Sequence, residues 1–141
     1  MPAKSSPILV VDDQGLVRQV VVAMLEGIGF FDVDECADVS AAMTKLRAKT
    51  YSLIISDWIM KDATGFDLLK QIKEDEKLRE IPLLMMTSDP RAEKVKAARD
   101  AGATDFLVKP FTAESLKVKI NAALAPLPPA PDQQGGVITE I

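Results

Sequence analysis

Four short apolar runs set the architecture of this chain. Ile8-Leu9-Val10-Val11, Leu53-Ile54-Ile55, Leu83-Leu84-Met85-Met86 and Phe106-Leu107-Val108 are each bounded by polar or turn-forming residues. Runs of this length, without polar alternation, read as strands buried on both faces. Residues 33–36 form a weaker strand second in chain order. Helical patterns lie between the runs. A helix over 14–28 places Leu16, Val20, Met24 and Ile28 on one face at spacings of four, and Gly27 and Gly29 stop it. Ser40 can cap a second helix whose Met43 and Leu46 face inward. Leu68, Leu69 and Ile72 mark a third, which frays in the charged run 74–80. Pro82 opens the strand that ends at Thr87. Asp89-Pro90, a cap followed by proline, starts a fourth helix that ends at Gly102. Thr112 caps a fifth, which carries Leu116, Ile120, Ala123 and Leu124. Five strands joined by helical crossovers require right-handed βαβ units, hence an α/β fold with a doubly wound five-stranded parallel sheet.

The chain of 141 residues has room for one full core, expected over 1–124. Residues 125–141 change to a proline-rich and then glycine-rich composition, which reads as a flexible tail. Val137, Ile138 and Ile141 give its last five residues β-propensity. The alternative for them is docking, as an added edge strand or on the face formed by helix 4, strand 5 and helix 5. A net charge of −4 argues against a broad nucleic-acid footprint. No apolar run has the length of a membrane span, and the N-terminus lacks the shape of a signal peptide, so a cytoplasmic location is expected. The single cysteine, Cys36, reads as a small buried hydrophobe. The chain has no histidine, which leaves carboxylates, lysine and hydroxyls for any acid–base or metal chemistry.

Ionisable and hydroxyl residues sit where the strands end: Asp12-Asp13, Asp57, Thr87-Ser88 and Lys109. In a parallel sheet those ends share one edge, where open α/β sheets bind ligands. Three carboxylates there repel and raise one another's pKa, and a divalent cation resolves the conflict. All-oxygen ligands with one or two direct carboxylates suit Mg²⁺. A lysine and a hydroxyl beside such a cluster suggest a site for a phosphoryl group, with a carboxylate as nucleophile. Each residue also has a plainer use. Asp13 can cap the first helix and Asp89 the fourth, Lys109 can be solvated before a proline turn, and Thr87 can be an ordinary strand-end hydroxyl. Asp57 is hardest to dismiss, because a charge straight after a buried apolar run needs a partner.

With VVDD, LIISDW, MMTS and KPF at these positions, the chain over about 7–124 resembles the receiver domain of two-component response regulators, in particular its CheY-like single-domain members. The resemblance implies a flavodoxin-like (βα)5 fold with strand order 2-1-3-4-5. It implies that Asp57 accepts the phosphoryl group and that Asp12, Asp13, Asp57 and the backbone carbonyl of Ile59 hold Mg²⁺. Lys109 would pair with the phosphoryl oxygens, Thr87 would move to the phosphate, and Ser88 would leave it room. Phe106 would take the aromatic switch position, and Lys109-Pro110 the position of a common cis peptide. The implied partners are a histidine kinase and a downstream protein, a component of the flagellar motor or a phosphotransfer protein, with no nucleic acid, no membrane and a monomeric state. Three departures stand out. Ile59 replaces a frequent polar residue, Lys61 stands where proline is common, and Phe106 replaces a tyrosine.

The resulting expectation is a stand-alone phosphoryl-accepting switch rather than an enzyme, with chemotaxis as the expected pathway. A phosphorelay intermediate or a phosphate sink is the alternative. An aspartate-nucleophile phosphatase would need a carboxylate two residues after Asp57, where Ile59 stands. A flavodoxin-like cofactor binder would need a hydroxyl- and glycine-rich loop after strand 1, where Asp12-Asp13 stands; no GxGxxG is present.

Overall fold

The computed structural model describes residues 7–58, 65–88 and 91–124, with backbone alone for 92–95. Strands and helices alternate: β1 Ile8–Val11, α1 Gly15–Ile28, β2 Val33–Cys36, α2 Val39–Ala48, β3 Leu53–Asp57, α3 Gly65–Lys73, β4 Leu83–Thr87, α4 Ala92–Asp100, β5 Asp105–Val108 and α5 Ala113–Leu124. The strands form one parallel sheet in the order β2-β1-β3-β4-β5. Among the described residues no helix is long and apolar enough to cross a membrane.

The period-two geometry of the strands divides the core into two layers. Ile8, Val10, Leu53, Ile55, Leu84 and Met86 face α1 and α5, where Val21, Leu25, Leu116 and Ile120 close over them. Leu9, Val11, Ile54, Leu83 and Met85 face the other way, under Ala42, Met43 and Leu46 of α2 and Leu68, Leu69 and Ile72 of α3. Every residue of β1, β3 and β4 is therefore buried, whereas the edge strand β5 buries only Leu107 fully. Cys36 lies in the second layer as a free thiol, and burial pushes its pKa up to about 11.

The structure revises three local expectations. On α1 the buried residues are Val21 and Leu25, while Leu16 and Val20 are 79% and 53% exposed. The helix is apolar around much of its circumference, so a spacing of four fits more than one stripe and does not choose between them. At α2 the cap is Asp38, not Ser40. The Asp38 carboxylate accepts from the Ala41 N–H at 2.7 Å, and its negative charge also suits a helix N-terminus. Helix α4 begins at Ala92 with Arg91 in the cap position, later than the Asp89-Pro90 signal predicts; Asp89 and Pro90 lie outside the described residues. Thr112 does cap α5, its Oγ1 accepting from the Ser115 N–H at 3.1 Å. Gly29 ends α1 with φ 117°, a left-handed conformation that only glycine adopts without strain, and its N–H returns to the carbonyls of Leu25 and Glu26.

Candidate functional site

The sheet register assembles the site. Val11 lies opposite Ser56, Asp57 opposite Met86, and Thr87 opposite Val108. Asp12, Asp57, Thr87 and Lys109 consequently stand side by side at the C-terminal edge, although 97 positions separate the first from the last. Backbone hydrogen bonds tie the loops that leave this edge. The Asp12 N–H donates to the Cys36 carbonyl at 3.1 Å, the Trp58 N–H to Met86 at 2.9 Å, and the Lys109 N–H to Thr87 at 2.7 Å. The Lys109-Pro110 peptide is cis.

One carboxylate oxygen from each of Asp12, Asp13 and Asp57 lies within 4.8 Å of the others. Asp12 is fully buried, Asp57 and Thr87 are nearly so, and Asp13 is half-buried. Asp13 does not cap α1: the cap residue is Gln14, whose own side chain makes no capping bond. The Lys109 ammonium reaches Asp57 Oδ1 at 2.7 Å and stands 3.7 Å from Asp12 Oδ2. Asp12 Oδ1 accepts from the Gln14 N–H at 2.9 Å, but Oδ2 is buried with no hydrogen-bond partner. The Asp12 pKa is raised, first by burial and then by the charges of Asp57 and Asp13; the Gln14 N–H and Lys109 act in the opposite direction.

An orphaned carboxylate oxygen inside a protein costs the full desolvation of that atom. Here it faces two further carboxylates and one ammonium. This donor set of hard oxygens, short of positive charge, fits a divalent cation such as Mg²⁺. Ile59, whose carbonyl completes the expected ligand set, lies outside the described residues, as does Lys61.

Two features of the site, Gly65 and Arg18, had no role assigned from the sequence. Gly65 packs against β3 so closely that a Cβ would fall 2.3 Å from the Asp57 carbonyl oxygen, and its N–H donates to the Trp58 carbonyl at 2.7 Å. A glycine at the start of an otherwise apolar helix was the available clue. Arg18 donates from Nη1 to the Asp12 carbonyl at 2.6 Å and from Nε to Glu35 at 3.2 Å, fixing the loop that carries the two aspartates. Nothing in its spacing announces that role. Phe106 sits away from the carboxylates on the flank of the sheet, packed against the layer under α2 and α3. Arg99 and Lys119 stand over its ring, at 5.5 and 5.3 Å from the centroid. Asp105 joins those two cations, at 2.8 Å from Lys119 and 3.8 Å from Arg99. Ser88 is exposed at the same edge as Lys109 and Pro110.

A parallel sheet in this order, with an acidic cluster and a lysine at its C-terminal edge, defines a receiver domain. The chain belongs to that family: the response regulator receiver domain model matches residues 8–121. Among characterised relatives it is 37% identical over 118 residues to the chemotaxis protein CheY-3 of Vibrio cholerae, covering 84% of this chain and 91% of that protein. It is 36% identical over 114 residues to the chemotaxis protein CheY of Pseudomonas aeruginosa, covering 81% and 92%. Its fold superposes on the chemotaxis response regulator CheY4 of Vibrio cholerae with a TM-score of 0.79 at 33% identity, covering 85% and 99%.

Proposed function

We propose that the chain is a phosphoryl-accepting switch in which Asp57 is the acceptor and a histidine kinase the donor. The observation that carries the reading is the environment of Asp57: a nearly buried carboxylate 2.7 Å from Lys109, within a cluster that contains an unpartnered Asp12 oxygen. In the proposed step an Asp57 oxygen forms a bond to phosphorus as the P–N bond of a phosphohistidine breaks. The released electron pair stays on the imidazole nitrogen, which takes up a proton. The acceptor must come from outside histidine chemistry in this chain, since the chain has none. Mg²⁺ held by Asp12, Asp13 and Asp57 would neutralise charge on the oxygens of the transferring group. Lys109 supplies a second positive charge and loses its Asp57 partner when that oxygen is esterified. Thr87 offers a hydroxyl at the neighbouring strand end, and Ser88 keeps the edge open beside it. Phe106, beneath Arg99 and Lys119, marks the surface whose arrangement would report the change.

The unit proposed to do this is 1–124, with 125–141 appended to it. The pathway we propose is chemotaxis, on the strength of the relatives named above. Phe106 favours a second reading, a phosphorelay intermediate or phosphate sink. It lacks the hydroxyl by which a tyrosine in that position could bind a partner, which weakens the resemblance to motor-binding members.

The direct test is incubation with acetyl phosphate and Mg²⁺ followed by intact-mass analysis. One phosphoryl group, labile in alkali, is expected on the parent chain and none on Asp57→Asn. An adduct on the variant would refute the assignment. Capture of partners with and without a phosphoryl mimic separates the pathways: a flagellar motor component supports chemotaxis, and a phosphotransfer protein alone supports the second reading.

A further inference from the structure

The apolar side chains that α1 leaves uncovered are not scattered. Leu16, Val20 and Met24 line one wall of a groove of about 450 Å³, and Pro110 and Phe111, just after β5, line the opposite wall. The groove continues between α1 and α5 through Val20 and Met24 to Ile28, with Ala113 and Lys117 on its far side. Its upper end abuts the site, because Lys109 and Ser88 border it and Lys109 holds Asp57. Leu16 at 79% and Val20 at 53% exposure are a costly way to finish a helix that otherwise packs well.

We infer that the groove is the docking site of the chain's own last segment, residues 137–141. Three observations lead there. The described residues end at Leu124, which, like Met24 and Ile28, borders the buried layer under α1 and α5. The exit therefore lies at the lower end of the same helix pair. Twelve residues, 125–136, separate that exit from Val137. A proline-rich stretch of this length spans up to about 37 Å, whereas the 12 residues of α5 rise only about 18 Å. The linker can therefore return the segment to Phe111. Val137, Ile138 and Ile141 then offer β-branched side chains to an apolar groove, whose lower edge carries one charge of each sign, Glu114 and Lys117. Linker attachment makes the encounter intramolecular, so that even weak apolar contacts suffice.

The test uses the full chain, isotopically labelled. Heteronuclear relaxation of 137–141 is compared between the parent, the exposed-site variant Val20→Glu, and a tail variant with Val137, Ile138 and Ile141 changed to serine. Docking predicts restricted motion of 137–141 in the parent and fast motion in both variants. It also predicts shifts of the Leu16, Met24 and Phe111 resonances in the tail variant, independent of protein concentration. Fast motion in the parent overturns the inference. So do shifts centred on Phe106 and Lys119, which place the segment on another face, and shifts that grow with concentration, which assign the groove to a second copy. Acetyl phosphate labelling of the parent is read in parallel. Restricted motion without labelling keeps the docking and refutes the acceptor reading; labelling with fast motion does the reverse.

Discussion

Replacing Gly65 with alanine tests whether α3 holds Asp57, the proposed acceptor, in place by backbone contact. The added Cβ would lie 2.3 Å from the Asp57 carbonyl oxygen, 2.7 Å from Met85 Sδ and 3.2 Å from the Asp57 carbonyl carbon. The thioether can rotate aside. The carbonyl cannot move without moving β3 or the first turn of α3. Carbon–oxygen contacts settle at about 3.3 Å or more, so the two backbones must part by roughly 1 Å. Overpacking of this kind costs about 1–3 kcal/mol, and alanine's better helix propensity returns at most about 1 kcal/mol. The expected net loss is about 1–2 kcal/mol, a fall in Tm of roughly 3–10 °C for a domain of this size. Chemistry should suffer beyond stability. A displacement of about 1 Å in a reacting group costs on the order of 100-fold in rate. The initial rate of labelling by acetyl phosphate, measured well below Tm, is therefore expected to fall about 10- to 100-fold. Gly27→Ala is the control: its Cβ meets nothing within 4 Å, so alanine there should raise Tm slightly and leave labelling alone. A Gly65→Ala variant with parental Tm and parental labelling would refute the reasoning, for it would mean that the contact yields without moving Asp57.

Lys109→Ala removes the ammonium that stands 2.7 Å from Asp57 and 3.7 Å from Asp12. Mg²⁺ affinity, followed by Trp58 fluorescence, should rise severalfold while phosphorylation no longer alters partner binding; unchanged or weaker metal binding would contradict this. Tyr51→Phe removes the hydroxyl that, ahead of Lys49, holds the Asp34 carboxyl below its ordinary range against burial. A depressed folded pKa stabilises fully above the unfolded value of about 3.9 and less as pH falls through the folded one. Parent and variant should then differ by about 0.5–1 kcal/mol at neutral pH, Asp34 being partly exposed, and converge below about pH 4 in thermal melts. Ile59→Asn should speed decay of the phosphorylated form by about tenfold, or roughly 1.4 kcal/mol of barrier, because an aliphatic side chain cannot orient the attacking water. Decay rates measured with donor removed and Mg²⁺ fixed would decide it, and equal rates would count against a protective role.

The features that were legible in the sequence are those whose signal is local or topological. Runs such as LIISD and LLMMT are too short for helices and too apolar for a one-sided sheet, so the parallel architecture and its crowded edge followed together. Asp12, Asp13, Asp57, Thr87 and Lys109 could be placed on one edge because a parallel sheet leaves no other arrangement. Legibility ended where two local solutions were equally good. Asp38 and Ser40 are both competent caps, and only the path of the chain between β2 and α2 chooses the earlier one. On α1 several apolar stripes coexist, and packing against the sheet selects Val21 and Leu25, leaving Leu16 and Val20 outside. Gly65 and Arg18 act on atoms of the backbone, which no side-chain pattern records. The carboxylate cluster was foreseeable, but the single unpartnered oxygen of Asp12 was not, because it depends on which neighbour Lys109 approaches more closely.

That unequal approach shapes how the site can work. When all three carboxylates are ionised, one ammonium leaves two negative charges unmatched, the charge of one divalent cation. Lys109 meanwhile occupies one oxygen of the proposed acceptor, so it acts as a counter-ion beside two buried carboxylates. Esterification of Asp57 would remove that partner and supply new phosphoryl oxygens for the ammonium to meet. Any resulting movement of the Lys109 backbone is shared at once with β4, because its N–H is bonded to the Thr87 carbonyl. Thr87 pairs in register with Val108, and Phe106 lies two residues back along that strand, under the charges of Arg99 and Lys119. Asp57, Lys109, Thr87 and the strand that carries Phe106 are thus joined by consecutive short contacts. On this reading the cations around Phe106 take the place of a hydroxyl: they hold the ring by its face, through an attraction that weakens with displacement and with salt.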